Sequence, residues 1–99
     1  MSLKEIMDFL KNKNWKTVFR NMEGKYNGYT EYDKKRISID IDICQAVADT
    51  MIHEYLHVKY DKWTERKVRR ETKKIIKQMT NKEIVRMAKQ IFRNVPLEN

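Results

Sequence analysis

The chain has 99 residues, room for one domain near the low end of sizes that fold unaided. Apolar residues make up 40 % and charged residues 36 %, so a small core can form while every element keeps a wet face. A single cysteine, Cys44, excludes a disulfide framework and a multi-cysteine zinc site; the short apolar runs exclude a membrane span; and a net charge of +8 leaves nucleic acid or an acidic surface open as a partner without choosing one. A soluble, reduced, cytoplasmic domain is the expectation.

Ser2-Leu3-Lys4-Glu5 reads as a capping box, and Leu3, Ile6, Met7 and Leu10 follow with helical spacing. A helix over about 3–12, docked through that face, is expected, ended by the polar run Lys11 to Asn14. Residues 15–43 read as strands. Thr17 to Arg20 form a short β-prone run, and Asn21 to Gly24 a turn. Asn27-Gly28, flanked by aromatics, is either a tight turn or part of one strand with a bulge at Gly28. Asp33-Lys34-Lys35 is a further turn. Ile37, Ile39, Ile41 and Ile43 then alternate with Ser38, Asp40 and Asp42, the pattern of a strand with a buried apolar face and a wet acidic one. The three strands are expected to form a small antiparallel sheet.

From about Gln45 to Tyr60 there is no Gly or Pro, and Val47, Met51, Ile52, Tyr55, Leu56 and Val58 keep helical spacing. Thr64 can cap a second helix running to about Met79, with Val68, Ile75, Ile76 and Met79 apolar and most of the rest basic. Thr80-Asn81-Lys82-Glu83 is another capping box. It opens a third amphipathic helix that ends near Asn94, ahead of Pro96. Helix, small sheet and three helices make the class α+β.

His53-Glu54-Tyr55-Leu56-His57 is an H-E-x-x-H motif inside the first of these three helices, and it uses both histidines of the chain. Residues four apart share a helix face, so both imidazoles can reach one zinc ion. Glu54 can reach water at such a metal as general base. A catalytic zinc takes a third protein ligand, and no third histidine exists. Cys44 lies nine residues before His53, about 13 Å along a helix, which is too far. Glu65, in the first turn of the next helix, is the first candidate. Glu71, further along it, is the second.

The run from His53 to His57, a short turn, and Thr64-Glu65-Arg66-Lys67-Val68 resemble the gluzincin metallopeptidases, whose "glutamate helix" often reads Asn-Glu-x-x-Ala-Asp. Length and layout are most similar to the minigluzincins, minimal zinc peptidases of prokaryotes. The resemblance covers residues 36–72. It implies zinc on His53, His57 and Glu65, Glu54 as general base, and the Ile37–Ile43 strand as a rim that pairs with an extended peptide substrate. Thr64, Val68 and Arg69 depart from the family's Asn, Ala and Asp, the last of which orients a ligand histidine there. Residues 81–99 would be a regulatory segment, since C-terminal segments in these proteins are linked to latency.

Other features carry plainer expectations. Trp15 and Trp63 read as core or half-buried caps, and Tyr60, three residues after His57, as packing more than carbonyl polarisation. Arg66, Lys67, Arg69, Arg70, Lys73, Lys74 and Lys77 make one helix strongly basic. A small nucleic-acid-binding protein without catalysis is therefore the alternative function, although no helix-turn-helix glycine turn, RNA-binding sheet signature or zinc-finger pair accompanies the charge. The third helix, with Ile84, Met87, Ala88, Ile91 and Phe92 on one face, is either an ordinary core element, an inhibitory cover, or an exchanged arm of a homodimer.

Overall fold

The computed structural model describes residues 3–97. The element order is α1 (Leu3–Leu10), β1 (Lys16–Arg20), β2 (Gly28–Glu31), β3 (Arg36–Asp40), α2 (Asp42–Lys59), α3 (Glu65–Gln78) and α4 (Asn81–Asn94), an α+β chain as the residue patterns require. It divides into two compact units, residues 1–41 and 42–99. Among the described residues no helix is long and apolar enough to cross a membrane.

In the first unit the sheet is mixed, with order β1-β3-β2. β2 and β3 are antiparallel through the turn at residues 32–35, but β1 runs parallel to β3, pairing Lys16 with Arg36 and Arg20 with Asp40. The expected all-antiparallel sheet is corrected accordingly. The link from β1 passes over to the far edge, and β3 returns between the two, so short linkers here do not mean sequential neighbours. Gly28 starts β2 rather than sitting in a turn. The register from Gly28 onward is unbroken, so the expected bulge is not seen either; a Cβ at Gly28 would meet the Ser38 carbonyl oxygen at 2.7 Å, a close backbone approach that glycine permits. The turn at Glu23 and Gly24 has both residues at positive φ.

β3 departs from expectation in three ways. It ends at Asp40, and the chain turns at Ile41 into a helix that takes Asp42 and Ile43 with it. Asp42 in the first turn suits the positive end of the helix dipole. Its burial phase is reversed: Ser38 is 0 % and Asp40 6 % exposed, while Ile37 and Ile39 are only half-buried. The supposed acidic wet face is the covered one. Finally, β3 is the central strand, flanked on both sides, so it has no free edge to pair with a peptide.

Glu31 ties the three strands together. It pairs with Arg36, its register partner on β3, and accepts from Arg20 of β1 at 3.3 Å. The hydrogen bond from Arg36 holds its carboxyl below the usual carboxylate range, against a smaller upward push from desolvation. α1 joins through Phe9 against Trp15 and Trp15 against Tyr32, with ring centroids 5.9 and 6.2 Å apart. Leu3, Ile6, Met7 and Leu10 remain exposed, so the expected docking of that face is not seen. The capping role expected of Ser2 lies outside the described residues.

The second unit is three helices. Cys44, Ala48, Ile52 and Leu56, each four apart, form the buried stripe of α2. Ile52 and Leu56 meet Val68 of α3, with Trp63, Ile75, Ile76, Met79 and Met87 packed around them. α4 packs on α2 and buries Ile84 and Ala88. Both expected caps are present. Thr64 accepts from the Lys67 N–H at 3.1 Å. Thr80 and Glu83 exchange hydrogen bonds of 3.1 and 2.9 Å in a full capping box.

Candidate metal centre

The centre lies within the second unit, where α2 hands over to α3. α2 ends at Lys59, and residues 60–63 fold back through hydrogen bonds from the Tyr60 N–H to the Leu56 carbonyl and from the Trp63 N–H to the Tyr60 carbonyl. Tyr60 and Trp63 stack at 4.0 Å with planes 6° apart, and the ammonium of Lys67 lies 4.6 Å from the Trp63 ring centre. Tyr60 is thus engaged in packing the turn. Thr64 then caps α3, so Glu65 falls in its first turn.

The outcome is a meeting of three side chains. Ligating atoms of His53, His57 and Glu65 all lie within 4.8 Å of one another. His53 Nε2 is 2.7 Å from Glu65 Oε1, and His57 Nε2 is 2.9 Å from Glu65 Oε2. The two imidazoles stand 4.9 Å apart, centre to centre, tilted by 65°. Each ring therefore aims the same nitrogen at one carboxylate. Desolvation raises the Glu65 carboxyl, but the His57 hydrogen bond and the neighbouring His53, His57 and Arg69 outweigh it and hold the group below the usual carboxylate range.

The donor set suits zinc. Two imidazole nitrogens and one carboxylate oxygen form a recognised three-ligand combination for a catalytic site. Ligands around a tetrahedral zinc stand about 3.3 Å apart for bonds of about 2.0–2.1 Å. The two imidazole–carboxylate separations, 2.7 and 2.9 Å, are shorter than this, so a bound ion would spread the carboxylate slightly from the rings. The two histidines are half-buried, and Glu65 is exposed, so the centre is open to solvent.

The other sequence candidates lie elsewhere. Glu71 pairs with Lys74 and Arg70 along α3, at 3.5 and 3.9 Å, and stays out of the cluster. Cys44 is buried at the far end of α2, where burial pushes its thiol up. Glu54 follows His53 on α2, exposed and without an ion pair among the described residues. One participant escaped sequence reasoning: the guanidinium of Arg69 donates through Nε to Glu65 Oε1 at 3.2 Å. Its signal was available, because Arg69 follows Glu65 by four residues on a helix. Comparison with family models, with curated proteins and with solved structures finds no match.

Proposed function

We propose that the chain is a small cytoplasmic zinc metallopeptidase that resembles the minigluzincins. The observation that carries this reading is the convergence of His53, His57 and Glu65 at H-E-x-x-H spacing, with a solvent-exposed Glu54 beside the first histidine. His53 and His57 would hold the metal through Nε2 and Glu65 through a carboxylate oxygen. Zinc in such a set supplies Lewis acidity, which polarises a peptide carbonyl and makes water a nucleophile at neutral pH. Glu54 takes the proton of the attacking water and delivers it to the leaving amine. Arg69 keeps the Glu65 carboxylate turned towards the two rings. This job requires a cation that spans one helical turn, and it differs from that of the family's Asp, which orients a histidine.

The test is metal content and turnover on untagged protein. About one zinc per chain is expected. His53→Ala and His57→Ala lose it. Glu54→Ala keeps the zinc and loses peptide hydrolysis. Equal hydrolysis by wild type and Glu54→Ala in matched zinc overturns the catalytic assignment.

A further inference from the structure

α3 does more than deliver Glu65. Arg66, Arg69, Arg70, Lys73, Lys74 and Lys77 recur every three or four residues, so they share one side of the helix. With Glu65 they border one continuous, solvent-open surface along the helix. Glu65 belongs to both this surface and the histidine cluster, so the basic surface begins at the candidate metal centre. Charge along it is poorly compensated. Arg69 engages Glu65, while Arg70 and Lys74 share Glu71. Arg66, Lys73 and Lys77 have no acidic partner among the described residues. Glu65 is already committed to two histidines and Arg69.

A solvated helix face of scattered Lys and Arg needs no ligand. Two points set this one apart: the cations form one continuous row along α3, and that row starts at a group with the donor set for peptide hydrolysis. From Arg66 to Lys77 the helix rises about 16 Å, the length of about five residues of extended chain. Exposed cations at this spacing bind a run of carboxylates through multiple charge-assisted contacts, and they do so on one side of the metal centre only.

Resting on the metallopeptidase reading above, we infer that the basic face of α3 is the substrate-docking surface, and that the preferred substrate carries a run of about five acidic residues on one flank of the scissile bond. The face draws that flank in, raises the local concentration of the neighbouring peptide bond at the centre, and so lowers KM without altering the chemical step.

The experiment uses the full chain loaded with zinc and three quenched fluorescent peptides sharing one neutral central segment. One carries five Glu on the N-terminal flank, one carries them on the C-terminal flank, and one has Gln at all these positions. One Glu-flanked peptide, and only one, is expected to exceed the Gln peptide in kcat/KM by tenfold or more at low salt, with the gain in KM. The advantage should shrink to within about twofold in 0.5 M salt, where the screening length is only a few Å. The triple variant Arg66→Gln, Lys73→Gln, Lys77→Gln should lose it. The variant Lys13→Gln, Lys25→Gln, Lys34→Gln, with the same net charge, should keep it. Equal gains on both flanks, or equal losses in both triple variants, attribute the preference to overall charge and overturn the inference.

A second readout is independent of turnover: fluorescence anisotropy of a labelled five-Glu peptide on Glu54→Gln protein, again with both triple variants. If no peptide is cleaved, the metallopeptidase reading fails, while anisotropy still decides whether α3 binds acidic chain. A thymidine oligonucleotide with five phosphates is the competitor. If it binds tenfold more tightly than the peptide at the same salt, the face belongs to nucleic acid and the inference is overturned.

Discussion

Glu65 sits where two roles meet, and a single atom separates them. A neutral amide in its place keeps the size, the position in the first turn of α3 and one oxygen, but removes the charge that both imidazoles and Arg69 address. Glu65→Gln is therefore expected to weaken zinc binding by tenfold or more, in the range found when groups that tune a metal site are lost. Glu71→Gln should leave affinity almost unchanged, because among the described residues Glu71 pairs with Arg70 and Lys74 and not with the histidines. Competition titration against a zinc-responsive dye compares the two directly. A larger loss from Glu71→Gln would move the third ligand along the helix and undo the assignment. Arg69 sharpens the picture. The motif-based view saw it as a departure from the family's Asp, yet its guanidinium holds the proposed ligand from one turn away. A motif records which residue type usually serves. It does not record which other type can serve by a different contact.

At the scale of elements, the sheet turns on one backbone approach. Gly28 faces Ile39 across the β2–β3 ladder, with the Ser38 carbonyl 2.7 Å from where its Cβ would stand. That neighbour is backbone in the central strand and cannot swing aside. Gly28→Ala should thus destabilise the first unit by about 1–3 kcal/mol, the cost typical of overpacking. Thermal or urea unfolding checks this, and a variant as stable as wild type would show that β3 yields easily. The same strands mark the limit of what was legible in the sequence. The helices and their caps could be read, because Thr64, Thr80 and Glu83 act on backbone groups within one turn. The H-E-x-x-H pair could be read for the same reason, its geometry being fixed by helical spacing. β3 could not. Alternation says that Ser38 and Asp40 share a face, but which face is covered depends on partners distant in sequence. Strand order and the parallel β1–β3 pairing are long-range in the same sense. Ile43 shows a further ambiguity. It completes a period of two with Ile37, Ile39 and Ile41, yet it is helical and 57 % exposed.

For the molecule as a whole, charge and core are unevenly shared. α3 holds seven of the 22 Lys and Arg residues against two carboxylates, and packs its few apolar residues on α2. A helix with so little apolar surface depends on its neighbours, and this bears on α4. Ile84 and Ala88 are buried, and Met87 packs against the cluster of Ile52, Leu56 and Val68, so α4 is a core element of the second unit. Burying one large aliphatic side chain contributes about 1.5–3 kcal/mol, while stability amounts to only about 0.05–0.15 kcal/mol per residue. Truncation after Met79 is therefore expected to abolish the cooperative thermal transition followed by circular dichroism, rather than to release activity. Truncation after Asn94 removes only the segment beyond α4 and should leave the transition in place. Regulation by the C-terminal segment would then reside in residues 95–99, and faster peptide turnover in that shorter truncation would assign it there. If the longer truncation melts cooperatively and cleaves faster, α4 is a cover and its burial misleads. Phe92, 69 % exposed at the end of α4, is the one large apolar residue of that helix left outside the packing, and it offers a second chain little to bury. Exchange of α4 between chains is accordingly not expected; in light scattering across a concentration series, a dimer that dissociates readily on dilution would use another exposed apolar face, such as Leu3, Ile6, Met7 and Leu10 of α1, whereas one that persists would point to exchange of α4.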